Sequence, residues 1–281
     1  MDDRDESFGV GGFRRAFAAE AREERPDVAL LCLLLAAEGD ATMGDAGIDE
    51  AQIELDRLAG LLPFAPGDPR DWAGAVAELL GERCGFHGEP ADYQRLDSSL
   101  LHQVLRRRRG LPILLSVVWM EVARRAGAPV YGVALPGHFV VGFGDPGQRV
   151  LVDPFAGGRL LSTADAELLV VGTTGRPLDP ASLEPAAPLE IVLRVLGNIR
   201  AWASTRPEQS AVQLWALELS LLLPSHPARL RYDRARLLVE RGAFREGAAE
   251  LEAYAEILDA VDVPGADRLR REAAAARARL N

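Results

Sequence analysis

A chain of 281 residues with 48% hydrophobic and 26% charged side chains has the make-up of a folded globular protein, long enough for two domains. Its net charge of −10 and pI near 5.0 repel polyphosphate, which argues against nucleic acid and against an anionic membrane surface as partners. All 32 basic residues are arginine, so no lysine is present to form a Schiff base or to hold phosphates in the manner of a P-loop or a kinase.

The first residues, Met1-Asp2-Asp3-Arg4-Asp5-Glu6, lack a basic stretch followed by an apolar one, so no secretory signal is expected. The longest apolar run, Val28 to Ala37, is too short to span a bilayer. Two cysteines, Cys32 and Cys84, are too few for a disulfide framework or a structural zinc site, and a reduced, cytoplasmic setting is the expectation. From about Phe13 to Leu105 apolar residues recur at three- and four-residue spacing, which predicts helices. Leu30, Leu31, Leu34 and Leu35 form one stripe. Ile53, Leu55, Leu58 and Leu61 form a second, closed by Pro63 and the Pro66-Gly67-Asp68-Pro69 turn; Trp72, Val76, Leu79 and Leu80 form a third. Cys32 and Cys84 read as small core residues. Asp97-Ser98-Ser99 ahead of Leu100 reads as a helix cap. The run Arg106–Arg109 reads as the solvated positive end of a helix, with an anion- or acid-binding surface as the alternative.

Gly110-Leu111-Pro112 opens a new helix, since a first-turn proline gives up an N–H that is not needed there. The helix runs through Trp119 to Ala126 and stops at Gly127. Val130–Leu135, Phe139–Phe143 and Val150–Val152, bounded by Gly and Pro, read as strands. If the turn between the last two is centred on Asp145-Pro146, cross-strand partners carry numbers totalling 291, and His138 pairs with Asp153. Such partners share a face, with Cβ atoms about 4.5–5.5 Å apart, so the carboxylate can fix the imidazole tautomer. From these residues alone the alternative is a histidine ending a turn and an aspartate bonding the backbone of Phe155 or Ala156. His87, His102 and His226 have no metal-ligand spacing, and neither metal nor cofactor is expected.

Residues 176–189, rich in Pro, Ala and acidic side chains, read as a linker. Helices resume near Ile191. The segments Pro207–Ala211 and Ala243–Gly247 are similar helix entries 36 residues apart, near the tetratricopeptide period of about 34, with Gly242 and Ala235 at small-residue positions.

The order Arg107-Arg108-Arg109-Gly110-Leu111-Pro112-Ile113, Leu115-Ser116, Glu121–Arg125, Leu135-Pro136-Gly137-His138-Phe139, and Val152-Asp153-Pro154-Phe155 with Gly157-Gly158-Arg159-Leu160 resembles the SirB-type branch of the transglutaminase-like superfamily. The match is dense over 92–161 and looser on both sides. The resemblance implies an α+β, papain-like fold: a helical part (1–105) forming one unit with an α/β core (106–175), then the linker and a tetratricopeptide-like tail (190–281). It also implies a nucleophile at the start of the central helix, facing a hairpin that brings His and Asp. His138 matches the family's histidine and Asp153 its aspartate. The nucleophile position falls at Pro112 or Ile113, and neither side chain can attack a substrate. Ser116, about one turn inside the helix, is the substitute to weigh, with its Oγ expected on the carbonyl of Pro112. The expectation is a non-catalytic protein acting as a protein- or peptide-binding scaffold or regulatory factor, its helical tail meeting the partner. The alternative is a hydrolase or acyl transferase in which His138 and Asp153 activate water or Ser116.

Overall fold

The computed structural model of the protein describes residues 11–63 and 67–279. Pro66 of the expected turn and the segment Met1–Glu6 lie outside these residues. The described chain divides after Val195 into two compact units, each with its own core.

The first unit opens with α1 (Gly12–Glu20), α2 (Val28–Gly39) and α3 (Asp45–Ala59). Asp27 caps α2 by accepting the Leu30 N–H. α2 carries no single stripe: Leu31 through Ala36 are all buried, because α1, α3 and later helices surround it. The second expected stripe is broken. Leu55 and Leu58 are fully buried, whereas Ile53 is 65% and Leu61 42% exposed. Ile53 lies two positions from Leu55, which on a 3.6-residue helix puts it on the opposite face. Asp68 and Asp71 form a capping box on α4 (Pro69–Val76), which loosens into a π turn, Ala77–Arg83, that buries Leu79 and Leu80.

α5 (Leu101–Arg107) leads to α6 (Pro112–Arg125), the central helix, whose residues from Pro112 to Ala123 are all buried. Against α6 lies a four-stranded antiparallel sheet in the order β1-β2-β3-β4, made of β1 (Val130–Val133), β2 (Val140–Phe143), β3 (Val150–Asp153) and β4 (Arg159–Leu161). The α+β class expected from the sequence is the one observed. β4 and the helix α7 (Thr163–Thr174) after it are additions to that expectation; Ser162 and Asp165 start α7 with a capping box. The segment 176–189 is fastened to the sheet: Leu183 joins the core of Val133, Val140 and Leu151, and the Ala186 N–H donates to the Gly132 carbonyl at 2.9 Å. Its prolines give a linker-like composition, yet a proline-rich strand edge still offers carbonyls and apolar surface.

α8 (Pro188–Ser204) contains the division between the units. In the second unit α9 (Ser210–Leu222), α10 (Arg229–Glu240), α11 (Phe244–Leu258) and α12 (Val263–Ala278) pack in succession. The α10–α12 core is built largely of alanines, Ala235, Ala248, Ala255, Ala266 and Ala273, which lets helix axes come close. Gly242 is a turn residue with φ +86° and open space around it; the residue at the close approach is Gly247, where a Cβ would lie 2.6 Å from Val239 and 2.8 Å from the Ala235 carbonyl. Among the described residues no helix is long and apolar enough to cross a membrane.

The arginine run departs from both expectations. Arg106 is exposed, but Arg107 and Arg109 turn inward onto the buried carboxylate of Asp92. Asp92 accepts from Arg109 Nε and Nη2 at 3.1 and 3.0 Å, from Arg107 Nη2 at 3.3 Å, from Ser98 Oγ at 3.1 Å and from the Glu89 N–H at 2.9 Å. Ser98 is therefore committed to Asp92, and α5 has no side-chain cap. Burial pushes the Asp92 carboxyl up, but the Glu89 N–H and Arg109 outweigh it and hold the group below the usual carboxylate range. Removing this carboxylate leaves two guanidinium groups without their shared partner. Asp92→Ala is expected to cost about 3–5 kcal/mol at pH 7 in urea unfolding. Because the pKa is depressed, the difference between wild type and variant should be full above about pH 4 and shrink as pH falls below it; a difference independent of pH through that range would contradict this role.

Candidate functional site

β2 and β3 pair with Val141 opposite Val152, Gly142 opposite Leu151 and Phe143 opposite Val150, so partner numbers total 293, not 291. The connection is not a two-residue turn. It is a six-residue loop, 144–149, with a 3-10 turn at Pro146–Gln148 capped by Asp145, whose carboxylate accepts the Gly147 N–H. The shift is by two residues, an even number, so it preserves the face on which each side chain lies. His138 precedes β2 and Asp153 ends β3, and the two still meet: His138 Nε2 lies 3.0 Å from Asp153 Oδ1. Both side chains are largely buried, His138 at 10% and Asp153 at 4% exposure.

Each partner is fixed by its own backbone. Asp153 Oδ1 also accepts the Phe155 N–H at 3.0 Å, and the Asp153 carbonyl accepts from Gly158 at 2.9 Å. The turn before His138 closes with its N–H on the Leu135 carbonyl. Arg194 of α8 reaches over the same turn, donating from Nη2 to the carbonyls of Leu135 and His138 at 2.6 Å each, while its guanidinium sits 5.6 Å from the Phe139 ring. Burial pushes the Arg194 guanidinium down from its usual range, a cost that the two carbonyls and the ring help to offset. Phe155 meets the imidazole edge-on at 6.0 Å, and Tyr93 meets Phe155 at 6.0 Å. Burial, and then the Asp153 charge, raise the Tyr93 phenol, with Arg194 opposing.

The ring of Phe155 also ties the hairpin to the entry of α6. Gly88 faces both: a Cβ there would lie 2.0 Å from two Phe155 ring carbons and 2.9 Å from the Gly110 carbonyl, so only glycine fits. Two residues beyond Gly110 the helix begins with Pro112 and Ile113, both buried and neither nucleophilic. Ser116 is fully buried and donates to the Phe139 carbonyl at 3.4 Å, not to Pro112 as expected; the strand beside the helix supplies a nearer acceptor than the helix's own first turn. Cys32 lies inside α2, its thiol raised by burial and then by Glu121 and Asp27, and Cys84 is half-buried after the π turn. Among the described residues no group of three or more His, Cys, Asp or Glu is placed to hold a metal ion.

Chemically, the pair has one orientation of use. With Nε2–H donating to Asp153, the lone pair of His138 lies on Nδ1, which carries no hydrogen bond among the described residues. Such an imidazole is set up to take a proton, and Pro112 and Ile113 at the start of α6 carry none to give.

Comparison with known proteins identifies the family. Residues 49–197, just over half of the chain, match the model of the transglutaminase-like superfamily, and residues 199–281 match a tetratricopeptide repeat. The chain belongs to the transglutaminase-like superfamily, followed by a tetratricopeptide-like region. Its relatives include UPF0162 proteins: one of Pseudomonas aeruginosa is 36% identical over 226 residues, covering 79% of this chain and 74% of that one. A UPF0162 protein of Xylella fastidiosa is 36% identical over 180 residues, 62% of this chain and 63% of that one. Human F-box only protein 21 is 27% identical over 182 residues, 61% of this chain but only 28% of that protein. The chain thus spans less than two thirds of the Xylella relative and under a third of the human one.

Arg194 lies outside every motif legible in the sequence, being one arginine among many on an amphipathic helix. Arg194→Met is expected to lower stability by about 1–3 kcal/mol, since it leaves the His138 carbonyl without its donor and takes one of two donors from the Leu135 carbonyl. It should also broaden the His138 ring resonances while leaving the far-UV circular dichroism unchanged; sharp, unshifted resonances would show that Arg194 does not hold the turn.

Proposed function

We propose that this protein is a non-catalytic, SirB-type member of its superfamily, acting in the cytoplasm as a protein- or peptide-binding scaffold or regulatory factor. The support for this reading is the start of α6: Pro112 and Ile113, which the resemblance puts at the nucleophile position, carry no nucleophile, while His138 and Asp153 pair at 3.0 Å. A helix N-terminus lowers a thiol's pKa and a neighbouring imidazole completes an ion pair, so this position is where the chemistry would begin. Without the thiol, the pair serves as a rigid polar element of a recognition surface. The tetratricopeptide-like helices fit a protein partner, and the acidic net charge disfavours nucleic acid and anionic membranes.

A second reading is favoured by one observation, the bare Nδ1 of His138. It makes the protein a hydrolase or acyl transferase in which the imidazole activates water; Ser116, buried and bonded to Phe139, is poorly placed to serve. Incubation with amine donors and glutamine substrates, and with peptide and thioester panels, separates the two. No turnover that depends on His138 is expected. Turnover abolished by His138→Ala and Asp153→Asn would establish the second reading instead.

The vacant position can also be probed by supplying the missing atom. Pro112→Cys or Ile113→Cys is expected to give, in at least one case, a thiol whose alkylation by iodoacetamide inflects below about pH 7.5 and shifts upward when His138→Ala is added. Thiols that titrate like a free cysteine at both positions, with or without His138, would mean that this helix start is not aligned with the pair.

A further inference from the structure

The second unit has a cleft of its own, about 420 Å³, walled by α8, α9 and α10. Arg200 of α8 lines it, half-buried, and among the described residues this side chain forms no hydrogen bond and no ion pair. Its Nε is closed off from solvent, whereas Nη1 and Nη2, equally unbonded, are not. Burial pushes the guanidinium down from its usual range, with Asp233 opposing from beyond ion-pair distance. A charge taken partly out of water without a partner costs stability, so buried arginines are ordinarily paired. Arg234 on α10 shows the ordinary outcome, held by Glu218 at 2.9 Å and Glu246 at 3.2 Å.

The other charges of the cleft are settled along α10. Arg236 Nη2 donates to Glu240 at 3.3 Å, and Asp233 Oδ1 lies 3.6 Å from Arg229 Nε, each pair one turn apart. The charge left over is that of Arg200. Gly197, one turn before it on α8, lines the cleft beside it. A glycine inside a helix is destabilising relative to alanine, and no packing demands one here. Beyond the helix's own backbone an added Cβ would meet only Arg200 Nη2, at 3.6 Å, an ordinary contact. The missing side chain leaves room next to that nitrogen. Two features thus converge on one spot: an unbonded Nη2 that solvent reaches, and a gap in the helix surface against it. The wider field does not oppose an anion. Residues 196–281 hold 13 arginines and 12 acidic residues, against 19 and 30 in the rest, so the acid surplus of the chain belongs to the first unit.

From this juxtaposition we propose that the cleft is the subsite for an acidic side chain, glutamate or aspartate, on a peptide segment of a partner protein, its carboxylate accepting from Nη1 and Nη2 of Arg200. The proposal rests on the scaffold reading and names what the tail recognises. A carboxylate matches a guanidinium through two parallel bonds. A dianionic phosphate suits the cleft less, because Asp233 and Glu240 stand in the same walls. A chain terminus also fits less well, since it brings its last peptide group into the cleft with its carboxylate. There the Ser204 hydroxyl is turned onto its own helix, donating to the Ala201 carbonyl at 2.9 Å, which leaves Gln213 to bond that group.

The test titrates the full-length protein with four heptapeptides of one sequence. Three are blocked at both ends and carry glutamate, glutamine or phosphoserine at the centre; the fourth is the glutamine peptide with a free C-terminal carboxylate. Binding is read by fluorescence polarisation and from the Nε–H resonance of Arg200, assigned by its loss in Arg200→Met. The glutamate peptide is expected to bind and to move that resonance, with the other three roughly tenfold or more weaker. Arg200→Met should bring the glutamate peptide down to the level of the glutamine one, and, because it removes an unpaired charge, should not lower the urea midpoint. Gly197→Leu, which fills the gap and keeps the arginine, should weaken the glutamate peptide by a similar factor and serves if the first variant does not fold. The scaffold reading fails on a separate measurement, His138-dependent turnover. Equal binding of the glutamate and glutamine peptides, a preference for phosphoserine or for the free terminus, glutamate binding that survives both variants, or no binding by any of the four would overturn the proposal.

Discussion

The site depends on one contact, His138 Nε2 to Asp153 Oδ1 at 3.0 Å, and much of the surrounding structure serves to hold its two ends. The aspartate is fixed through side chain and main chain at once, by Phe155 and Gly158. The histidine is fixed from behind, where Arg194 gathers the carbonyls on both sides of its turn. A one-residue slip of β2 against β3 would send the two side chains to opposite faces, so the strand register is as much a part of the site as either residue. Order of this kind is what a proton-transfer site requires, and a rigid recognition element uses it equally well.

Arginine does much of the wiring in a chain without lysine. A planar guanidinium can bond a carboxylate through two nitrogens, lie on an aromatic ring, or reach two carbonyls together, none of which an ammonium does as well. Arg109 does the first on Asp92, Arg108 the second on Phe86, and Arg194 the third beside His138. The consequence is mechanical. The segment entering α6 is clamped to Asp92 on one side and, through Gly88 and Phe155, crowded against the hairpin on the other. A helix start held this firmly is what a nucleophile would need, and this one begins with Pro112 and Ile113, neither of them nucleophilic.

The central helix and three of the four strands were legible in the sequence, because Gly and Pro punctuate them and Val and Phe fill them. The pairing of His138 with Asp153 was legible for a reason that survived an error: the loop is longer than a two-residue turn, but its extra length is even and the face is unchanged. Local pattern failed where tertiary partners decide. Arg107 and Arg109 look solvated until Asp92, a distant acid in sequence terms, is brought to them. Ser98 looks like a cap until that acid claims it, and Ser116 looks bound to its own helix until β2 offers the Phe139 carbonyl. Arg194, the residue that braces the histidine, has no sequence signal, since nothing in an amphipathic helix says which of its arginines will be buried.

The most direct measurement is the protonation of the two ring nitrogens of His138, read from long-range ¹H–¹⁵N correlation at neutral pH. The expected pattern is a proton on Nε2, in slow exchange and hydrogen-bonded to Asp153, with Nδ1 bare, and a loss of this preference in Asp153→Asn. A proton on Nδ1, or the rapidly exchanging mixture of tautomers seen in a free imidazole, would mean that the carboxylate does not hold the ring, and the description of a completed His–Asp pair would be wrong.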